Sequence, residues 1–414
     1  MCRKILYFNE ISMIRQDEIA LVIDLQRERF VRRSSGFTRD SLPDIPVADS
    51  FATIVTGIRR CGKSTLLLQL LNRDYQDAIY LNFEDIRLSG FEINDFIRLY
   101  REIEKREMKV LFFDEIQIVE GWEKFINQLL REGYSVFITG SNASMLSVEL
   151  GTHLTGRHLS MELFPFSYSE FIRFKELENG EYAVLDYLKK GGIPEYVKTE
   201  IPAILHTLVD DILMKDIAVR HSVRDVISLR QLTAFLITNI GNLISANKLV
   251  GMFDIKSPAT FLEYFSFLKD AYLLEFVPMF SHSLKVQARN PKKVYVMDTG
   301  LYTENSVSTS DNMGKRLENL IFLHLRRKYE QLFYYKGRGE CDFIAVEKNE
   351  VADAIQVCLT VNDENFDREF NGLFEAMQNL GIKEGRIITL NQSDIFEKEG
   401  LTIRIMPAQE FLES

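Results

Sequence analysis

Cysteine is scarce. The 414 residues hold four, Cys2, Cys61, Cys341 and Cys358, scattered and without a CxxC pair. That argues against a disulfide framework or a cysteine-built zinc site and fits a reducing cytoplasm. No apolar run reaches the length a membrane helix needs. The opening MCRKILYFNEIS has no long apolar core of the secretory type. The expectation is a cytoplasmic chain with no membrane partner, starting at Met1 or at Met13. Positive charge is not in excess either: the net charge is −10. The chain as a whole is therefore no cationic coat for nucleic acid, and any such contact must come from a local basic patch. There are no internal repeats and no long low-complexity tract.

What the chain does have is apolar mass. Hydrophobic residues make up 46% and charged residues 27%, with thirty Phe and one Trp, an ordinary globular composition with large cores. The length suggests two to four domains. Residues 14–33 have helical spacing, with Ile19, Val22, Ile23 and Phe30 near one face. Short β-type runs follow at 52–56, 78–82, 109–114, 135–139 and 158–163, with helical segments between most of them. That alternation predicts an α/β fold with a parallel sheet covered on both faces. From about 166 the pattern is mostly helical, and residues 228–297 read as helices with a β finish, Ser257-Pro258 being a good helix start. The expected division is an N-terminal helix and linker (1–45), a parallel α/β core (46–165), a helical lid and connector (166–227), a winged-helix-like domain (228–302), a linker (303–312) and a C-terminal α/β domain (313–414).

Residues 57–67, GIRRCGKSTLL, place Gly57-x4-Gly62-Lys63-Ser64 between a strand and a helix. This is the phosphate-binding P-loop pattern. Glycines let the backbone turn its N–H groups inward, and the helix start adds its positive end. Gly57, Arg60, Cys61, Gly62, Lys63, Ser64 and Thr65 are thus expected to wrap ATP. Lys63 would neutralise the outer phosphates and Ser64 would offer its hydroxyl to Mg²⁺. The run KVLFFDEI ends an apolar strand in Asp114 and Glu115. Asp114 is expected to support Mg²⁺ and Glu115 to polarise the attacking water. Strand AIYLN lies between these two strands, which together with the Asp-Glu pair points to AAA-like ATPases. After the next strand, Ser141 or Asn142 would sense the γ-phosphate. Arg157 would contact it within its own chain or from a neighbouring one in a homo-oligomer. A surface salt bridge is the plain alternative for Arg157.

Several stretches (GIRRCGKSTLLLQL, LFFDEIQIVEGWE, FITGSNASML, LTGRHLSMELFPFSYSEF and GGIPEYV) resemble the bacterial and archaeal AAA-class ATPases that carry an uncharacterised C-terminal domain. The resemblance spans nearly the whole chain and is specific only over the ATPase motifs. It implies ATP binding and hydrolysis, a winged-helix middle and a C-terminal domain similar to PD-(D/E)XK nucleases.

The candidate recognition helix, 257–270, carries only Lys269 as a base, beside Glu263 and Asp270. Between Glu275 and Asp298 there are no acids, and Lys285, Arg289, Lys292 and Lys293 form a modest cationic site. It suits DNA or RNA phosphate, or a protein partner. In the C-terminal segment Glu318 and Asp342 match two positions of the nuclease set, but Gln356-Val357-Cys358 stands where Glu-x-Lys is required. Gln is a poor ligand for Mg²⁺ and Cys358 brings no positive charge. The expectation is a nuclease-like fold that cuts nothing unless Glu340 or Lys336 compensates.

Overall fold

The computed structural model describes residues 14–143, 156–307 and 312–413. They form two compact units, one of residues up to Gly57 together with Gly62–Leu163, the other of Ile58–Cys61 together with the chain from Phe164 on.

The first unit is a five-stranded parallel sheet in the order β2-β3-β4-β1-β5. Its strands are β1 (Ala52–Thr56), β2 (Ala78–Asn82), β3 (Val110–Asp114), β4 (Ser135–Thr139) and β5 (His158–Glu162). Each lies within a residue of its expected place, because nearly continuous apolar runs leave little choice of boundary. Its helices are α1 (Gln16–Arg32), α2 (Lys63–Asp74), α3 (Asp95–Arg106) and α4 (Trp122–Arg131). Trp122 is a packing anchor, 1% exposed.

Helix α1 belongs to this sheet's core. Ile14, Ile19, Val22 and Ile23 pack in one cluster with Ile79, Leu81, Leu99 and Phe113. Phe30 stacks on Tyr80 with ring centroids 3.6 Å apart. The Gln26 side chain clasps the end of β2, accepting from Asn82 N at 2.6 Å and donating to Asn82 O at 3.0 Å.

The second unit begins with α5 (Tyr168–Lys175), α6 (Glu181–Lys190), α7 (Pro194–Thr199) and α8 (Ala203–Asp211), which runs on into a π-helical stretch, Ile212–Val219. Then come α9 (Val226–Thr238), β6 (Leu243–Ile244), α10 (Ala246–Leu249), α11 (Pro258–Asp270), β7 (Leu274–Val277), α12 (Leu284–Arg289), β8 (Lys292–Val296) and α13 (Thr299–Asn305). Ser257 caps α11 as expected, its Oγ accepting from Ala259 N at 3.1 Å. Strands β6, β8 and β7 make an antiparallel sheet in that order. Of the segment read as a linker, residues 303–305 close α13, and 308–311 lie outside the described residues.

The C-terminal part holds α14 (Met313–Lys328), β9 (Gln331–Lys336), β10 (Glu340–Glu347), β11 (Glu350–Val357), α15 (Phe366–Leu380), β12 (Glu384–Thr389), β13 (Asp394–Lys398), β14 (Leu401–Pro407) and α16 (Ala408–Glu413). Its six-stranded sheet has the order β13-β14-β12-β11-β10-β9. Strands β9, β10 and β11 meander antiparallel, while β11, β12 and β14 are parallel.

Ile23 is fully buried. Truncating it to Ala should cost about 2–5 kcal/mol, the usual range for a buried aliphatic side chain. Urea unfolding followed by tryptophan fluorescence, Trp122 being the single reporter, will measure the loss.

Candidate nucleotide site

Parallel pairing brings the C-terminal ends of β1, β3 and β4 side by side. Val55 is in register with Thr139, and Asp114 with Thr139. The loop after β1 turns at Gly57 (φ +136°) and Gly62 (φ +106°), values an L side chain rarely adopts. Lys63 opens α2, is 6% exposed, and its Nζ donates to Gly57 O at 2.9 Å. Its ammonium is thus held inside the curl of its own loop. Ser64 and Thr65 follow in the first turn of α2, both half-buried.

Asp114 ends β3 and is 1% exposed. Its hydrogen-bond partners among the described residues are neutral: Tyr80 Oη at 2.8 Å, Asn82 Nδ2 at 3.3 Å and the Thr139 hydroxyl. Burying a carboxyl group favours partners that compensate it, and a bound cation would be one. Glu115 is held in the left-handed region, φ +56°, ψ +35°, an uncommon conformation for a non-glycine residue and one found at functional sites. Burial pushes its carboxyl up to about 7; Lys63 opposes the rise, while Asp114 and Glu84 add to it. Gln117 donates to it. Ser141 and Asn142, both nearly fully buried, follow β4 at the same sheet end, where Gly140 N donates to Val55 O.

These residues fit a nucleotide with Mg²⁺. Among the described residues no group of three or more His, Cys, Asp or Glu could hold a metal unaided. Mg²⁺ at such sites is held by one or two protein oxygens together with substrate phosphates and water. Asp114 and the Ser64 hydroxyl are the protein oxygens on offer.

Other expected residues are placed elsewhere. Arg157 is exposed and precedes β5, its carbonyl accepting from Ala52 N at 3.1 Å. That is the N-terminal edge of the sheet, one strand length, roughly 15 Å, from the P-loop end. Contact with a phosphate of its own chain is therefore corrected. Arg60 has φ +63°, and its guanidinium pairs with Glu195 at 3.1 Å and Asp211 at 3.6 Å. Cys61 is fully buried, a small filler.

The cationic site also shrinks. Lys285 and Arg289 are exposed on α12, but Lys292 is half-buried, and burial lowers its ammonium's pKa. Lys293 is 6% exposed and its Nζ lies 2.9 Å from Glu318 Oε1 and 2.6 Å from Asp342 Oδ1. It cannot touch nucleic acid, which corrects that expectation. On β8, Lys293 and Tyr295 share one face by strand alternation, and Tyr295 donates to Glu318 at 2.8 Å. Lys293 bridges Glu318 and Asp342, and Gln356 lies beside Asp342. Gln356 accepts from Asp342 N at 3.0 Å and donates to Glu369 at 2.6 Å. Cys358 packs in the apolar cluster, its thiol pushed up to about 12 by burial. Tyr80, Asn82 and Thr139 are site residues that sequence reasoning missed; Asn82 and Thr139 could have been signalled by their strand-end positions, whereas Tyr80 lies mid-strand.

Residues 49–172 match the family described as an AAA domain, and residues 182–311 match a domain of unknown function. An uncharacterised protein of Methanocaldococcus jannaschii is 34% identical, covering 94% of this chain and 92% of its own length. The chain belongs to that protein's family. An uncharacterised protein of Haemophilus influenzae is 32% identical over 73% of this chain and 81% of its own length. Among solved structures, a Saccharomyces cerevisiae Hsp104–ADP complex has TM-score 0.30 at 15% identity, covering 59% of this chain; this chain spans 38% of that one. Cdc6p from Pyrobaculum aerophilum has TM-score 0.26 at 12% identity, over 64% of this chain and 89% of that one. The match to an AAA domain, a nucleotide-dependent module, covers the part of this chain that holds the P-loop and the Asp114-Glu115 pair. None of the described helices is long and apolar enough to cross a membrane.

A Lys63→Ala variant should bind ATP about ten- to a hundredfold more weakly, the loss of one charge-assisted phosphate contact. Calorimetry with ATP and Mg²⁺ reads the change, and circular dichroism should show an intact fold.

Proposed function

We propose that this family member is a Mg²⁺-dependent ATP hydrolase that uses nucleotide turnover as a switch for engaging a partner. The observation that supports it best is the pair at the end of β3: a buried Asp114 with neutral partners, followed at once by Glu115 in a left-handed conformation with its carboxyl raised toward neutrality. A bound Mg²⁺ would supply neutralising charge for the outer phosphates. The loop amides from Gly57 to Gly62 and the Lys63 ammonium bind and orient the same phosphates. Tyr80, Asn82 and Thr139 fix Asp114. Glu115 is suited to take a proton from an attacking water onto its carboxylate, and a base with pKa near working pH does this best. Asn142 would orient the γ-phosphate. Arg157 would reach a phosphate only in a neighbouring copy of the chain.

The helix–strand region from 226 to 297 is read as a winged-helix-like scaffold whose partner is a protein rather than DNA or RNA. Of the four cations between Glu275 and Asp298 only Lys285 and Arg289 are exposed, few for a phosphate backbone. The outward residues of α11 include Leu262, Glu263 and Ser266, and its Lys269 is paired with Glu275 at 2.6 Å.

Replacing Glu115 with Gln should leave ATP affinity within a fewfold of wild type while turnover falls by about 10²–10⁴, the usual worth of a general base. A steady-state phosphate-release assay beside a binding isotherm separates the two; unchanged turnover would remove Glu115 from the role. Adding duplex DNA, single strands or RNA should leave turnover unaltered. Salt-sensitive stimulation that disappears in Lys285→Glu/Arg289→Glu would instead name nucleic acid as the partner.

A further inference from the structure

The Lys293 cluster has no part in the nucleotide chemistry. Strand β8 turns Lys293 and Tyr295 toward α14, and both reach Glu318. Lys293 continues to Asp342 on β10. Lys315 meets the other Glu318 oxygen at 2.9 Å and Gly241 O at 3.0 Å. The second Asp342 oxygen accepts from Val357 N at 2.9 Å. Beside the cluster, the Asn319 amide clasps β8, donating to Val296 O and accepting from Val296 N, both at 2.9 Å. Two ammonium groups thus meet two carboxylates, and every carboxylate oxygen is satisfied. Burial alone would discharge Lys293, but Asp342 and Glu318 more than offset it and hold its pKa above the ordinary lysine range.

A lysine between two carboxylates is also what a metal-assisted phosphodiesterase uses, so two roles compete. Accessibility decides between them. The side chains are 8%, 5% and 12% exposed for Lys293, Glu318 and Asp342. Gly241 roofs the cluster so closely that a Cβ there would lie 2.9 Å from Glu318 Oε2 and 2.8 Å from Lys315 Cδ. A polymer phosphate has no approach. Where the third carboxylate of the nuclease set would be needed, Gln356 is neutral and committed to Glu369.

We infer that Lys293 is the resident cation of the Glu318–Asp342 pair, an internal counter-charge that closes this site to divalent metals and locks the three-stranded sheet to the C-terminal α14–β10 layer. Removing one member of a buried ion triad leaves uncompensated charge, whereas replacing all members by neutral groups of similar shape is far less harmful. The test uses the full chain without nucleotide. Lys293→Met should lower the thermal midpoint of the transition by about 5 °C or more. Adding Glu318→Gln and Asp342→Asn to that variant should recover most of the fall. If the single variant yields no soluble protein, soluble protein from the triple variant counts as the same recovery. Calorimetric titration with Mn²⁺ should look the same for wild type and the triple variant. The inference is overturned if the triple variant is no more stable than Lys293→Met, or if wild type takes up Mn²⁺ at a site the triple variant lacks.

Discussion

The alignment of β1, β3 and β4 is the constraint on which the nucleotide site rests. Strand pairing in one direction forces the loop after Thr56, the carboxylate of Asp114 and the turn after Thr139 to emerge at one edge. A one-residue slip of β3 would turn Asp114 to the opposite face and take Tyr80 and Thr139 out of its reach. The apolar residues of these strands therefore do more than fill a core: they fix the register that lets three neutral donors converge on one acid. The sheet order matters equally. With β4 between β1 and β3, the site lies where successive connections leave in opposite directions, the usual place for a ligand crevice in open parallel sheets.

Much of this was legible in the residue order. The glycine-lysine-serine loop and the Asp-Glu pair announce their chemistry through local spacing, and five apolar runs announce the strands. Other features depend on partners far apart in sequence. Nothing near Tyr80 says that its hydroxyl will meet Asp114, 34 residues on. Residues 14–33 show only helical spacing and an apolar face until Gln26 and Phe30 are seen against β2. Arg157 illustrates the opposite failure. A polar loop before a strand looked like a site for an arginine, but direction along the strand, invisible in composition, puts it at the far edge.

Lys292 and Lys293 show how two identical neighbours take opposite parts. A stretch without acids reads as a cationic surface. Strand alternation sends one lysine to a half-open face and the other inward, where acids from residues 318 and 342 await it. The alternation Lys293–Tyr295 was present in the sequence as a clue, since an inward lysine beside an inward tyrosine needs a buried anion. The identity of that anion required the fold.

The clasp of Gln26 on β2 has a consequence for life in a crowded cell. Strand β2 ends its sheet, and a bare outer strand offers its amides and carbonyls to any extended peptide that drifts by. A helix laid along that margin, with a side-chain amide standing in for a sixth strand at Asn82, denies the margin to strangers. The same helix that steadies the ATPase core thus also guards it against sticking to its own kind.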